Sequence, residues 1–316
     1  MDKKTEIYQL CPNEGYLMHS YLIKTPNNKI VMIDGGHTYY MQKAYLPHAI
    51  RAILGLEEKD YFEIEAWFFS HAHDDHYGEF VMMMREYDQN SNYKINNIYF
   101  DFPDFAKSSL DKDDYSLETL EQFKSSLDKY AKVNGISVDG RYYDYLNGRV
   151  INADSVDGGL TVKIDGVNFD ILQTWDDLDL MVNSNSTIIR VSQDVLPSKT
   201  CLFLNDASID SGARLLKKYG NKLKSDMVQM AHHGQAGVDK DVYDAIGATI
   251  RFWPTPFWVW NDHEDYKTDQ VRSWLNITEF EYTEGDVIAC LYKDYPEDYT
   301  KVSEWKKCIN GMKREL

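Results

Sequence analysis

The sequence predicts a four-layer α/β sandwich, two mixed β-sheets packed face to face with helices on both outer faces. Three observations lead there. Strand-rich and helical stretches alternate twice along the chain, in two similar halves; no low-complexity linker divides them; and 43% of the 316 residues are hydrophobic, enough for a sizeable core. One domain over residues 1–316 is therefore expected, with a variable insertion at about 105–150.

The first half opens on strands. TEIYQL and YLMHSYLIKT are followed by a turn at Pro26-Asn27-Asn28 and a returning arm, KIVMID, whose tight exit is allowed by Gly35 and Gly36. Residues 37 to about 54 read as helical, with Pro47 as a kink or break. EIEAWFFSH is an aromatic-rich strand that stops at a cluster of histidines and aspartates; residues 79–90 then have helical character, and NNIYFDF is a further strand. Residues 115–134 form an amphipathic helix with Ser116 as its N-cap and Gly135 near its end. The second half starts with short strands between 142 and 205, with turns at Asn147-Gly148, Gly158-Gly159 and Asp165-Gly166, and STIIRVS and KTCLFLN read as neighbouring strands. Helices at 209–219, 239–245 and 265–275 then alternate with strands at 226–231, ATIRFW and FEYTEGDVIACLY.

Charge narrows the function. The net charge is −17, with 51 acidic against 34 basic side chains and no dense Lys/Arg run. Binding a nucleic-acid backbone depends on lysine and arginine displacing condensed counterions, so a long nucleic acid is disfavoured as substrate. Cys11, Cys201, Cys290 and Cys308 are widely scattered, which argues against a zinc ribbon, a redox pair or a disulfide framework. The N-terminus lacks an apolar stretch of signal-peptide length and no run of about 18 apolar residues occurs, so no membrane span and a cytoplasmic location are expected. The 23 tyrosines and 7 tryptophans read as ordinary core and half-buried surface.

The sharpest feature is Ser70-His71-Ala72-His73-Asp74-Asp75-His76-Tyr77-Gly78, three imidazoles and a carboxylate within six residues straight after a buried strand. Neutral imidazoles and carboxylates suit zinc, manganese or iron. His71 and His73 bring two nitrogens near one point as the chain leaves its strand, while Asp75 and His76 can turn to a second point, the layout of a two-metal site.

HAHDDH matches the His-x-His-x-Asp-His signature of the metallo-β-lactamase superfamily, and the chain resembles that superfamily along most of its length. IDGG, with Asp34, is similar to the superfamily's first motif, and LFLNDAS to the strand ending in a metal-bridging aspartate, which implies that role for Asp206. SDMVQMAHHG, NSNSTIIRV and NDHEDYKTDQVRSWL are similar to segments of its competence-protein and phosphorylcholine-esterase branch. The resemblance implies two divalent ions: His71 and His73 on the first, Asp75, His76 and one of His232 or His233 on the second, with Asp206 across both. His232, nearer the strand end, is the favoured one of the pair. Zinc is the first expectation, manganese or iron the alternatives. Asp34, His37, Asp74, Asn185, Ser186 and His263 are expected behind the ligands or facing substrate, with a helix cap as the alternative role for His37. His19 and His48 have no supporting context and read as structural or exposed.

Two departures matter. No histidine lies between His76 and His232, where many members supply a third imidazole to the first ion; Asn183, Asn185 and Ser186 occupy the corresponding segment, so that site is expected to be weak. Asn205-Asp206 stands where Gly-Asp is usual, a mild change because asparagine tolerates the left-handed conformation. The implied activity is metal-dependent hydrolysis by a metal-activated hydroxide, with Asp75 and Asp206 at the reaction centre and a small phosphoester or phosphodiester as substrate. The alternative is a non-catalytic metal- or ligand-binding sensor on a degenerate fold. The oligomeric state is left open.

Overall fold

The computed structural model describes residues 5–10, 19–37, 44–102, 116–135, 160–174, 181–194, 198–255, 257–260, 265–275 and 287–290. Strands β1 (Glu6–Gln9), β2 (Tyr21–Lys24), β3 (Ile30–Ile33), β4 (Phe62–Phe69), β5 (Tyr93–Ile95), β6 (Ile98–Phe100) and β13 (Val287–Cys290) form one sheet, in the order β13-β1-β2-β3-β4-β5 with β6 also on β4. Strands β7 (Leu160–Ile164), β8 (Val167–Gln173), β9 (Ile188–Gln193), β10 (Cys201–Phe203), β11 (Met227–Gln229) and β12 (Ile250–Phe252) form the second, in the order β12-β11-β10-β9-β8-β7. Both sheets mix parallel and antiparallel pairs, as the sequence predicted.

Period-two alternation separates the layers. Tyr21, Ile23, Val31 and Ile33 point inward, where they meet Phe169, Ile189, Phe203 and Phe252 of the other sheet. Their neighbours Leu22, Ile30 and Met32 point outward, into a core shared with helices α1 (Leu46–Leu54), α2 (Asp74–Glu86) and α3 (Ser116–Asn134). On the far side, Leu202, Leu204 and Val228 pack under α4 (Ile209–Tyr219) and α5 (Lys240–Ile246), with Trp253 against Trp260 of α6 (Phe257–Trp260) and Val271 of α7 (Thr268–Trp274) in the same cluster.

Strand β4 shows how this alternation reaches the functional end. Phe62 and Ile64 face the helices, and so do Trp67 and Phe69, although the two pairs have opposite parity. The register with β3 shifts between Ile30↔Ile64 and Val31↔Ala66, a bulge that flips the strand by one residue. Ala66 and Phe68 therefore line the inter-sheet core.

Several local expectations change. The first helix starts at Leu46, not near His37, and Pro47 sits in its first turn, where the missing N–H costs nothing, so it opens the helix and does not kink it. Helix α2 starts at Asp74, not 79, because Asp74 and Asp75 suit the positive N-terminal end and carry the helix back into the histidine cluster. The Asp165-Gly166 turn joins β7 and β8, and β9 and β10 pair as neighbours. Of the 105–150 stretch only α3 is described; the turns at Asn147-Gly148 and Gly158-Gly159, and His263, lie outside the described residues. No helix among the described residues is long and apolar enough to cross a membrane.

The N-terminus of α1 is capped from another helix. Glu79 of α2 is fully buried and its Oε2 accepts from the backbone N–H groups of Tyr45 (3.1 Å) and Leu46 (3.2 Å). Burial outweighs those two hydrogen bonds and pushes its carboxyl up to about 8. A carboxyl raised from about 4.5 to 8 is protonated in the fold while already ionised in the unfolded chain. Its contribution to stability is thus intact below pH 4.5 and falls as pH rises towards 8. Glu79→Gln should flatten this slope. Urea unfolding at pH 5 and pH 8 is expected to show the wild type losing a few kcal/mol more than the variant across that interval, since each tenfold difference in proton affinity between folded and unfolded chain is worth about 1.4 kcal/mol.

Candidate metal centre

The parallel pairs β3–β4 and β10–β11 end on the same edge of the sandwich, and their C-terminal residues build the site. Asp34 and Ser70 follow β3 and β4, Asn205 and Asp206 follow β10, and His232 and His233 follow β11. Backbone bonds fasten the ends together. Asp34 N–H donates to Phe68 O, Gly35 N–H to His76 O, Thr187 N–H to Ser70 O across the two sheets, and His232 N–H to Asn205 O.

Strain concentrates here. Of the non-glycine residues with positive φ among the described ones, Asp34 (55°), Asn205 (51°), His232 (50°) and His233 (55°) are all at these strand ends. Each such residue costs on the order of 1 kcal/mol and persists only where its surroundings over-determine it. For Asn205 they do: Gln229 Oε1 accepts from its N–H (2.6 Å) and its own amide bonds Thr187 O.

Asp34 is the hub. It is fully buried, its Oδ1 accepts from Ser70 N–H (2.7 Å), and its Oδ2 faces Ser70 Oγ (2.7 Å), His76 Nδ1 (2.7 Å) and His19 Nδ1 (3.0 Å). Burial alone would raise its carboxyl, but the His76 charge and the imidazole hydrogen bonds outweigh that and hold it below the usual carboxylate range. Ser70 Oγ, donating to Asp34, is left to accept from His71 Nδ1 (3.0 Å). On the opposite wall His233 Nδ1 donates to Pro254 O (3.1 Å).

With each Nδ1 so engaged, the Nε2 atoms of His71, His76 and His233 all turn towards Asp206. The separations from its carboxylate oxygens are 3.8 Å, 3.4 Å and 3.5 Å. His73 Nδ1 lies 2.9 Å from His71 Nε2, and Asp75 Oδ2 lies 2.9 Å from His233 Nε2. Three compact sets result among the described residues, His71–His76–Asp206, Asp75–His76–His233 and His19–Asp34–His76, each with its nitrogen and oxygen atoms within 4.8 Å of one another. Buried His76 Nε2, His233 Nε2 and Asp206 Oδ1 have no hydrogen-bond partner among the described residues, an expensive arrangement unless a cation takes their lone pairs.

The electrostatics fit the same ligand. Burial favours the neutral forms of Asp75 and Asp206, yet the adjacent imidazoles hold both carboxyls below their usual range: His76 and His233 at Asp75, His233 and His76 at Asp206. Conversely burial would lower His233, but Asp206 and Asp75 outweigh it and push it up to about 10; His76 is raised by Asp206, Asp34 and Asp75. His71 is lowered, by burial and then by the charges of His76 and His73. These carboxylates demand positive charge between them, which a divalent ion supplies while displacing protons from the imidazoles.

The remaining candidates fall into place unevenly. His37 is no helix cap, since the helix starts nine residues later; its Nε2 lies 3.3 Å from Asp74 Oδ2, tying the loop after β3 to the start of α2. Ser186 Oγ accepts from Asp206 N–H (3.2 Å), and Asn185 Nδ2 donates to Met181 O (3.0 Å) within its own loop. The structure sets the favoured His232 and its neighbour His233 in different surroundings. His233 is the buried one and touches Asp75, whereas His232 is 31% exposed, 4.0 Å from Asp206 Oδ2 and 3.2 Å from Asn183 Nδ2. Two consecutive left-handed residues turn the chain after Ala231 and bring His233 inward. His19, read from the sequence as structural or exposed, is fully buried beside Asp34 and His76; nothing local in its sequence marks it.

The family model described as "Metallo-beta-lactamase superfamily" matches residues 17–183. No curated protein matches the chain. Among solved structures, the metallo-beta-lactamase fold protein YhfI from Bacillus subtilis is similar at 12% identity and a TM-score of 0.46, covering 90% of this chain and 100% of that one. A metallo-beta-lactamase motif mutant from Cronobacter sakazakii is similar at 17% identity and a TM-score of 0.34, covering 83% and 90%. A metallo-beta-lactamase from Hirschia baltica is similar at 13% identity and a TM-score of 0.36, covering 78% and 92%.

Two tests arise from this geometry. Ion content measured by elemental mass spectrometry should fall by one per chain in His233→Ala and stay near the wild-type value in His232→Ala; the opposite result would restore His232 as the ligand. Gly234 has φ 78°, and a Cβ there would lie 2.5 Å from Trp253 Cε3 and 2.7 Å from Thr255 Oγ1. Gly234→Ala should therefore displace the histidine turn and cost about 2–4 kcal/mol in urea unfolding.

Proposed function

Because the chain belongs to the metallo-beta-lactamase superfamily, a superfamily of metal-dependent hydrolases, we propose that it hydrolyses a small phosphoester or phosphodiester. The observation that carries the reading is the convergence of His71, His76 and His233 Nε2 on Asp206 with Asp75 beside them, every one of those imidazoles anchored through Nδ1. His71, His73 and Asp206 would hold one divalent ion, and Asp75, His76, His233 and Asp206 the other. Zinc is the first choice for the imidazole-rich set; manganese or iron is an alternative, above all in the first site, since no histidine lies between His76 and His232 in the sequence. Bound there, such ions would supply Lewis-acid polarisation of a phosphoryl or carbonyl oxygen and would lower the pKa of water towards about 7.

The chain's own residues do the rest. Asp34 and Ser70 fix the tautomers of His76 and His71, so that the unprotonated nitrogens face the ions. Ser186 holds the backbone of Asp206, and with it the orientation of the shared carboxylate. His232 and Asn183, adjacent at the half-exposed side of the cluster, are placed to hydrogen-bond a substrate oxygen. The net charge of −17 supports a small substrate over a long nucleic acid, and the sequence segments around His232-His233 and Asn183–Ser186 support the phosphoester branch over a lactamase.

The sensor reading is favoured by one feature, that no histidine lies between His76 and His232 in the sequence. Asp206→Asn separates the two. For the hydrolase, purified protein carries close to two transition-metal ions per chain and cleaves bis-p-nitrophenyl phosphate, and the substitution lowers kcat/KM by at least about 100-fold, the usual scale for losing transition-state charge stabilisation. Hydrolysis of that substrate unchanged in Asp206→Asn, with ion content preserved, would sink the enzyme reading. A preference for a β-lactam such as nitrocefin would sink the phosphoester assignment alone.

A further inference from the structure

One buried imidazole at this end of the sandwich has no part in the proposed ligand set. His19 lies just before β2, fully buried, and its backbone N–H donates to Asp75 O (3.2 Å). Its Nδ1 is 3.0 Å from Asp34 Oδ2, the same oxygen that His76 Nδ1 approaches to 2.7 Å. Its ring stacks on His76, with centroids 4.7 Å apart and planes 16° from parallel, and Tyr21 closes its other side edge-on at 4.9 Å.

We propose that His19 is a positioning residue for the metal centre, acting through Asp34 and through the face of His76. A carboxylate that receives only Ser70 and His76 can rotate about χ2 and exchange its oxygens. An imidazole from the β2 side, its Nδ1 3.0 Å from Oδ2 in an ion-pair contact, stands against that rotation and keeps Oδ2 where the His76 Nδ1–H meets it. The stacked ring removes the remaining freedom, since His76 cannot swing about its own χ2 without colliding with an imidazole lying nearly parallel to it. His76 Nε2 is thereby presented to both Asp75 and Asp206 at 3.8 Å and 3.4 Å. His19 groups with Asp34 and His76, and not with Asp75, Asp206 or His233, which sets it behind the proposed ligands and leaves direct ligation to be told apart by the test below. This assignment rests on the proposal that the cluster holds ions, and goes beyond it by giving a role to a residue outside the histidine motif.

The test compares His19→Asn, His19→Gln and His19→Ala with wild type by cobalt(II) titration, reading the d–d absorption and the affinity in competition with a chromogenic chelator. Asparagine sets an amide N–H near the place of Nδ1, glutamine near the place of Nε2. The expected result is near-wild-type affinity for His19→Asn and a loss of about 10–100-fold for His19→Ala and His19→Gln, with an altered cobalt spectrum, the range found when a partner behind a ligating histidine is removed. Urea unfolding of the metal-free proteins runs alongside. Wild-type affinity and spectrum in His19→Ala would overturn the proposal, as would losses in all three variants that only track lost stability, which would mean packing. Rescue by glutamine and not asparagine would overturn it in favour of direct ligation through Nε2. Failure of the wild type to take up cobalt at all would sink the metal reading itself, and this assignment with it.

Discussion

A buried carboxylate held by three hydrogen bonds and flanked by a second imidazole governs the functional end of this molecule. Asp34 receives Ser70 twice and faces His76 and His19, in full burial. Desolvating a carboxylate is costly, and the cost is offset only if every lone pair meets a donor. The consequence is geometric. Satisfying Asp34 requires the ends of β3 and β4, the start of α2 and the residue before β2 to sit in one arrangement. That arrangement fixes which nitrogen of His71 and His76 carries a proton and which faces the cluster.

The second sheet completes the site by a different route. Its contributions come from backbone conformations that side-chain chemistry alone would not choose. Asn205, His232 and His233 are left-handed, and the strain is offset by bonds to Gln229, Thr187, Pro254 and Thr255. Gly234 lies flat against Trp253, with no room for a Cβ. One half of the centre is thus organised by a charge hub, the other by a braced turn, and Asp206 is where the two meet. Thr187 N–H to Ser70 O joins the two sheets at this edge, which makes the sandwich interface part of the site's rigidity.

Legibility differs between elements for identifiable reasons. Strands with long apolar runs are readable because alternation and turn residues are local. Helix α2 reads as starting too late because its first turn is polar and carries the aspartates and histidine of the motif, so apolar periodicity begins only after it. The first helix reads as starting too early because nothing in residues 37–45 signals that a buried glutamate from another helix caps Tyr45 and Leu46. The inward placement of His233 is not readable from the sequence because two left-handed residues reverse the direction a strand end would give.

By itself the sequence determined the two-sheet, helix-covered architecture and the contiguous histidine and aspartate cluster from His71 to His76, because periodicity and motif spacing are properties of neighbouring residues. The left-handed turn at Asn205 was compatible with the sequence, since asparagine tolerates that conformation. Only the tertiary structure decided that Asp34 couples to two histidines at once, that His233 and not His232 meets Asp75, and that His19 belongs to the site at all. Those facts depend on which strand ends meet at one edge and on what burial does to a carboxylate there. They join residues far apart in the chain, His233 and Asp75 above all, and no local pattern encodes such a pairing.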